Sequence, residues 1–476
     1  MKILHAAAEA YPLIKTGGLA DVVYALTHAE KKLGEEVRLL LPGYPSVIAG
    51  LGRLETLCEL GCVMGVPRVR VLKGAFPISG VPTYVISAPS LYARPGNPYQ
   101  GPGGDWPDNH KRFALLSWCA ARIASGEIDF DFVPDIVHTH DWHTGLTSVF
   151  MAEIPGIRAK TVHTVHNLAY RGLFPMGAVP DLGLSSLTNF SAQFEFWGQS
   201  SFLKAGIVFS DRVTTVSPTY AKETLGEEKG CGLNGVLAQK GAAYSGILNG
   251  LDYDIWDPKK DKAIAKTYSA QRLSGKKACR AALRKEFSLE ESGMPVYAVV
   301  SRLADQKGLD LVLQSIPFIL ESGAQLVVLG SGDKGLEGSF LKAFLEHPGR
   351  IAGFVGFDEA MSHRVLAGAD VILVPSRFEP CGLTQMMGLK YGTLPLVRQT
   401  GGLADTVSPI AGPAGDGFVF GDASAWALCE TMRYVHSVWR DEKAWRAAMV
   451  RAMGKDFSWK NAASSYLALY KDALRG

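Results

Sequence analysis

With 476 residues, 47% of them hydrophobic and 20% charged, and a formal net charge of +3, the chain has the make-up of a folded protein long enough for two or more cores. That balance excludes long disordered tails, and without a block of like charges there is no electrostatic footprint of a nucleic-acid or membrane-surface protein, so neither is an expected partner. No run approaches the length of a membrane-spanning helix, and the seven cysteines, scattered without a CxxC pair, fit a reducing compartment, so a cytoplasmic protein is expected; a homo-oligomer is compatible with the composition.

The start, Met1 to Glu9, is an apolar stretch cut by His5 and Glu9, too short for a signal peptide, and reads as the first buried strand. Similar short β-branched or aliphatic runs follow at 36–41, 83–87, 135–140, 160–165 and 211–216, then at 296–301, 325–329, 370–374 and 394–397, with longer amphipathic stretches between them. Alternation of this kind predicts α/β structure with parallel sheets covered on both faces. Ten strands crowd one open sheet, so two doubly wound, Rossmann-like halves are expected. A charged stretch from 256 to 292 interrupts the rhythm, and a hinge is expected just before it, around 244–252, where Gly246, Asn249 and Gly250 favour turns. The expected domains are 1–245 and 246–457, followed by a helix at 458–476. Ser458 is the N-cap candidate of that helix, and Trp459, Ala462, Ala463, Tyr466, Leu467, Tyr470 and Leu474 fall on one face.

Lys15-Thr16-Gly17-Gly18-Leu19-Ala20-Asp21 follows the first strand and opens a helix. Paired glycines let backbone N–H groups approach an anion, and a helix N-terminus adds partial positive charge. The GxxxxGK[ST] spacing of a Walker A loop is absent, and taken alone the segment is equally readable as a strand-to-helix turn with a solvated lysine.

Arg302 closes a later strand and Lys307 stands at the following helix start, a strand-to-helix corner where open α/β folds bind ligands. Val374-Pro375-Ser376-Arg377-Phe378-Glu379-Pro380-Cys381-Gly382-Leu383-Thr384 again runs from strand end to helix, offering a carboxylate and helix-end donors that together suit sugar hydroxyls and phosphate. As surface cations and an N-terminal helix acid, these residues also have ordinary structural readings.

His138-Thr139-His140-Asp141-Trp142-His143 superficially resembles a metal site. His138 and His140 share one strand face, whereas Asp141 and His143 fall in the next loop or helix, so polar lining of a sugar cleft is the favoured reading. Another strand ends on His166-Asn167, and polar groups delivered to one rim by two strand ends suggest a site.

With these residues in view, the chain resembles the bacterial glycogen synthases and plant starch synthases, retaining glucosyltransferases of the two-Rossmann-domain GT-B fold. The likeness rests on KTGGLAD from Lys15, HDWH from His140, TVHNLAY from Thr164, SFLKAG from Ser201, TTVSPTYA from Thr214, LNGLD from Leu248, SRLADQKG from Ser301, PSRFEPCGLTQ from Pro375 and TGGLADTV from Thr400. It implies two domains facing a deep cleft, with the C-terminal helix crossing back onto the first, and transfer of glucose from ADP-glucose to the 4-hydroxyl of an α-1,4-glucan such as glycogen.

The resemblance further implies that Lys15, Gly18 and Asp21 lie on the diphosphate and acceptor side. Arg302 and Lys307 would neutralise donor phosphates, so that no metal or other cofactor is needed. Glu379 would hold the donor glucose, with Cys381, Gly382, Leu383 and Thr384 as donors to glucose and phosphate. Asp141, His166, Asn167 and Asn249 would line the sugar rim, His166 nearest the reacting sugar, and Phe357 would stack on the base. Lys15, His166, Arg302, Lys307 and Glu379 are the implied catalytic set. Tyr24, His163 and Phe357 depart from the residues usual at their positions, and Phe357 bears on nucleotide preference. Two other classes stay in view: a metal-dependent hydrolase built on His138, His140, Asp141 and His143, and a non-catalytic α-glucan-binding protein.

Overall fold

In the computed structural model the first sheet grows from strand β1, Lys2–Ala6, with β2 (Glu36–Pro42), β3 (Glu55–Val63), β4 (Val66–Ala75), β5 (Pro82–Ser87), β6 (Ile136–His140), β7 (Lys160–Val165), β8 (Arg212–Thr215) and β9 (Tyr244–Gly246). Their order across the nine-stranded sheet is β9-β8-β7-β6-β1-β2-β5-β4-β3. All neighbours from β9 to β5 run parallel, and β4 joins β5 and β3 antiparallel. The parallel strands are buried on both faces, as the continuous run Leu39-Leu40-Leu41 requires.

The second sheet is parallel throughout. Its strands are β10 (Val296–Val300), β11 (Gln325–Gly330), β12 (Ile351–Val355), β13 (Val371–Val374), β14 (Leu394–Arg398) and β15 (Phe418–Phe420), in the order β12-β11-β10-β13-β14-β15. This is the 3-2-1-4-5-6 order of dinucleotide-binding folds, with the chain reversing direction of travel between β10 and β13. In the first sheet the corresponding reversal lies between β1 and β6.

The structure describes residues 1–184 and 191–476. They divide into one unit of Met1–Val216, Ala221–Gly250 and Trp459–Gly476, and another of Ser217–Tyr220 and Leu251–Ser458. The boundary expected after residue 245 therefore falls inside the first unit, because Tyr244–Gly246, read as part of a hinge, pairs with β8 as an edge strand. The helix Trp459–Arg475 is buried in the core of the first unit through Trp459, Ala462, Ala463, Tyr466, Leu467 and Tyr470. Leu474 does not join that face: it is 41% exposed, and the helical stripe passes to Ala473 instead.

Of the residues that depart from the family pattern, Tyr24 is buried against His28 and Phe76, with ring centroids 5.8 Å away in each case. His163 is buried with Nδ1 at 2.8 Å from Thr139 Oγ1.

Candidate active site

In the first unit, the two chain segments leaving the β1/β6 reversal carry most of the polar groups expected there. The loop after β1 is anchored by Glu9, whose Oε2 accepts hydrogen bonds from the Thr16 and Gly17 amides and whose Oε1 accepts one from the Tyr99 hydroxyl. Burial raises the Glu9 pKa, and those donors oppose the rise. Lys15 projects from the anchored loop with its ammonium 2.8 Å from Asp21 Oδ1 and 5.3 Å from the centre of the Tyr11 ring. Helix α1, Gly18–Lys32, starts from Gly17 without a side-chain cap. A Cβ at Gly17 or Gly18 would meet nothing within 4 Å, so the backbone there is open to approach.

At the end of β6, Asp141 adopts φ +55°, a conformation few residues other than glycine, asparagine and aspartate accept. Its buried Oδ1 accepts the His166 amide at 2.7 Å, and the Asn167 amide also bonds to this carboxylate. Asp141 thereby fixes the turn that presents His166 and Asn167. Burial pushes the Asp141 carboxyl up to about 7. The Asn167 side chain folds back on the Ala169 amide at 3.0 Å. Asn249 is buried, and among the described residues its Oδ1 has no hydrogen-bond partner.

His166 is half-buried, and its Nε2 lies 3.1 Å from His140 Nδ1. Burial pushes the His166 pKa down to about 3 and holds those of His138 and His140 well below the usual imidazole range, so these rings are neutral at pH 7.

His138, His140, Asp141 and His143 do not assemble as a ligand set. Asp141 serves backbone amides, and His143 stacks on Tyr99 with ring centroids 4.7 Å apart. Among the described residues, the histidines whose potential ligand atoms all lie within 4.8 Å of one another are His5, His138 and His140. Both ring nitrogens of each are already engaged, by Glu30, Tyr470, Thr164, His166 or one another. A cation there would have to displace buried hydrogen bonds.

In the second unit the reversal between β10 and β13 is flanked by the other group of expected residues. Lys307, in the short 3-10 turn Asp305–Lys307, places Nζ 2.6 Å from Glu379 Oε2, and the Ser376 hydroxyl donates to the same oxygen at 2.8 Å. The Arg377 guanidinium ties the two loops together, bonding both oxygens of Asp310 at 2.8 and 2.7 Å and the Asp305 carbonyl at 2.8 Å. Gly308 (φ +63°) allows close approach, since a Cβ there would sit 2.2 Å from the Pro375 carbonyl oxygen. Gly401 does the same at Glu379, whose carbonyl oxygen also accepts the Gly402 amide at 3.0 Å.

Arg302 is exposed; its carbonyl accepts the Ser301 hydroxyl at 3.0 Å, and its side chain has no hydrogen-bond or ion-pair partner among the described residues. Cys381 is buried, Gly382 takes φ +74°, and Gln385 braces the loop by donating to the carbonyls of both at 3.0 and 2.9 Å. Leu383 directly precedes the short helix Thr384–Lys390, and the Thr384 hydroxyl donates to the Val300 carbonyl at 3.3 Å. Phe357 is 75% exposed just beyond β12. Glu9, Tyr99, Gly308, Asp310, Ser376, Gln385 and Gly401 are among the members of these clusters not singled out from sequence. Glu9 offered no signal beyond a carboxylate interrupting an apolar strand.

Residues 2–239 match the family model of the starch synthase catalytic domain, and residues 283–449 match that of glycosyl transferases group 1. A glycogen synthase of Leptothrix cholodnii is 46% identical over 490 aligned residues, covering 99% of both chains. The chain belongs to the glycogen and starch synthase family. Another glycogen synthase, from Serratia proteamaculans, is 47% identical over 480 residues with the same coverage. The solved catalytic domain of starch synthase IV from Arabidopsis thaliana, bound to ADP and acarbose, superposes with a TM-score of 0.90 at 31% identity, covering 100% of this chain and 99% of that one. The fold of this member of the glycogen and starch synthase family is accordingly GT-B.

Proposed function

We propose that the protein transfers glucose from ADP-glucose to the non-reducing 4-hydroxyl of an α-1,4-glucan with retention of configuration. The observation that carries this reading is the Lys307–Glu379–Ser376 cluster at the reversal point of the second sheet, in a chain of the glycogen and starch synthase family. In that reading Glu379 holds hydroxyls of the donor glucose, while Lys307, Arg302 and the amides around 381–384 face the diphosphate. Lys15 and the open backbone at Gly17 and Gly18 are assigned to the diphosphate and acceptor side, with Asp21 as the ion-pair partner of Lys15.

Breaking the glycosyl phosphate bond builds positive charge on the sugar and negative charge on the departing diphosphate. Fixed cations and N–H dipoles favour the second more strongly as it develops. A charge-assisted hydrogen bond contributes about 1.5–3 kcal/mol, so two cations supply several kcal/mol of the lowered barrier. The acceptor hydroxyl attacks from the face the diphosphate leaves, and a leaving phosphate oxygen takes its proton, which accounts for retention without a covalent intermediate on Glu379. Neutral His166, with its amide held by Asp141, serves as a hydrogen-bonding partner of the sugar and not as a cation. The cationic side chains perform the neutralisation a metal would otherwise supply, so no cofactor is included. A cytoplasmic setting is part of the proposal and rests on the scattered cysteines.

The test is release of ADP from ADP-glucose with glycogen as acceptor, run beside UDP-glucose and beside exhaustively chelated enzyme. Glycogen-dependent ADP release that survives chelation supports the reading. Glycogen binding with no ADP release would favour a non-catalytic binding protein, and loss on chelation would restore a metal to the mechanism.

A further inference from the structure

From His166 a continuous line of side-chain hydrogen bonds runs into the first unit. His166 Nε2 lies 3.1 Å from His140 Nδ1, His140 Nε2 lies 3.1 Å from His5 Nδ1, and His5 Nε2 lies 2.7 Å from Glu30 Oε2. His140, His5 and Glu30 are fully buried. A neutral imidazole has one N–H and one lone pair, so when both nitrogens of every inner ring are engaged, the direction of the first bond sets all the others. The carboxylate of Glu30 can only accept. His5 therefore carries its proton on Nε2 and accepts at Nδ1 from His140 Nε2–H. His140 in turn accepts at Nδ1 from His166 Nε2–H, and His166 is left with a lone pair on Nδ1.

We propose that Glu30 is a positioning residue for the transfer reaction: through His5 and His140 it holds His166 in the Nε2–H tautomer, so that His166 offers the sugar a hydrogen-bond acceptor. The proposal rests on the reading above that His166 stands beside the reacting sugar. Glu30 lies 25 residues from His5 in sequence and is fully buried, so it acts only through the chain.

The other carboxylate oxygen provides an internal control. Tyr470 donates to Glu30 Oε1 at 2.8 Å, its oxygen lies 2.6 Å from His138 Nδ1, and His138 Nε2 lies 2.6 Å from Thr164 Oγ1, which is itself 2.6 Å from Thr214 Oγ1. Since the Tyr470 proton is committed to Glu30, His138 donates from Nδ1 and accepts at Nε2. His138 and His140, two residues apart on one strand, are thus held in opposite tautomers by the same carboxylate. An additional proton on the Glu30–His5 pair would make His5 Nδ1 the donor and turn both His140 and His166 to Nδ1–H.

The experiment is a two-bond proton–nitrogen correlation spectrum of full-length protein labelled with ¹⁵N-histidine, at neutral pH, with signals assigned by single His→Gln variants. The expected pattern is Nε2–H for His140 and His166 and Nδ1–H for His138. Finding His140 and His166 as Nδ1–H overturns the proposal, and this needs no variant at Glu30. In Glu30→Gln the amide can donate as well as accept, so His166 is expected as a mixture of tautomers and kcat falls about tenfold while KM for ADP-glucose stays within about twofold. Tyr470→Phe leaves the His166 tautomer unchanged. An unaltered His166 spectrum in Glu30→Gln overturns the proposal as well. Failure of the wild-type enzyme to release ADP would strike the functional reading instead, while the tautomer pattern reports on the chain by itself.

Discussion

The ammonium of Lys307 and the carboxylate of Glu379 stand 2.6 Å apart across 72 residues of sequence, with the Ser376 hydroxyl completing the coordination of the same oxygen. Both side chains are largely buried, so removing one leaves the other with an unmet desolvation cost. Lys307→Ala is expected to lower kcat by about 100-fold and also to lower the melting temperature, since a buried carboxylate without its partner costs about 1–3 kcal/mol. The double variant Lys307→Met, Glu379→Gln removes both charges. It should recover most of the melting temperature and none of the activity. Recovery of turnover in the double variant would reduce the pair to a structural contact.

Two glycines separate a structural need from a ligand-facing one. Gly401 has φ +44°, and a Cβ there would lie 2.0 Å from the Glu379 carbonyl oxygen, so Gly401→Ala must shift the loop that carries Glu379. Stability is expected to fall by about 2 kcal/mol or more, and activity with it. Gly18 has open space around its Cβ position, so Gly18→Ala should leave the melting temperature unchanged within about 1 °C while raising KM for ADP-glucose, because the added methyl occupies the approach to the amides. An unchanged KM would remove this turn from the binding site.

Asp141 gives a pH signature of known sign. Its ordinary pKa of 3.8 is pushed up to about 7 by burial, so the folded state favours the protonated acid. Stability from this group is fully present below pH about 4, is lost as pH rises toward about 7, and is flat above that. Asp141→Asn does not titrate, so the melting temperature of the variant minus that of the wild type should become more positive by on the order of 5 °C between pH 4 and 7. Depressed His163 and His166 act in the opposite sense in both proteins and cancel in the difference. A difference that does not vary with pH would show that Asp141 stays ionised.

The strands flanking the site were legible because parallel, doubly covered strands must be apolar along their whole length, as in Val296–Val300 and Gln325–Gly330. The hairpin Glu55–Val63 and Val66–Ala75 was not, because one face meets solvent and Val66, Val69 and Val71 are interrupted by Arg68 and Arg70. β15 is only three residues long, too short to stand out from a loop. Within the site, Lys307 and Glu379 could be named from their motifs, but their pairing is a tertiary fact. Glu30 reads in sequence as one more acid on an amphipathic helix. Only the arrival of Tyr470, 440 residues later, shows that its carboxyl group joins a buried network.

Glu9 offers a last test of how the loop bearing Lys15 is held. Its carboxylate is buried and takes hydrogen bonds from Thr16, Gly17 and Tyr99, so it fixes the loop from beneath. Tyr99→Phe deletes one donor while keeping the ring that stacks on His143. The lost bond matters most to the ionised carboxylate, so the variant raises the folded-state pKa of Glu9 further. Stability lost through Tyr99→Phe should therefore be small near pH 4 and grow as pH rises toward 8, reaching about 1–3 kcal/mol. Denaturant unfolding of both proteins at several pH values measures it. A loss that is the same at every pH would mean that Tyr99 contributes packing alone and that the loop is held by its backbone bonds.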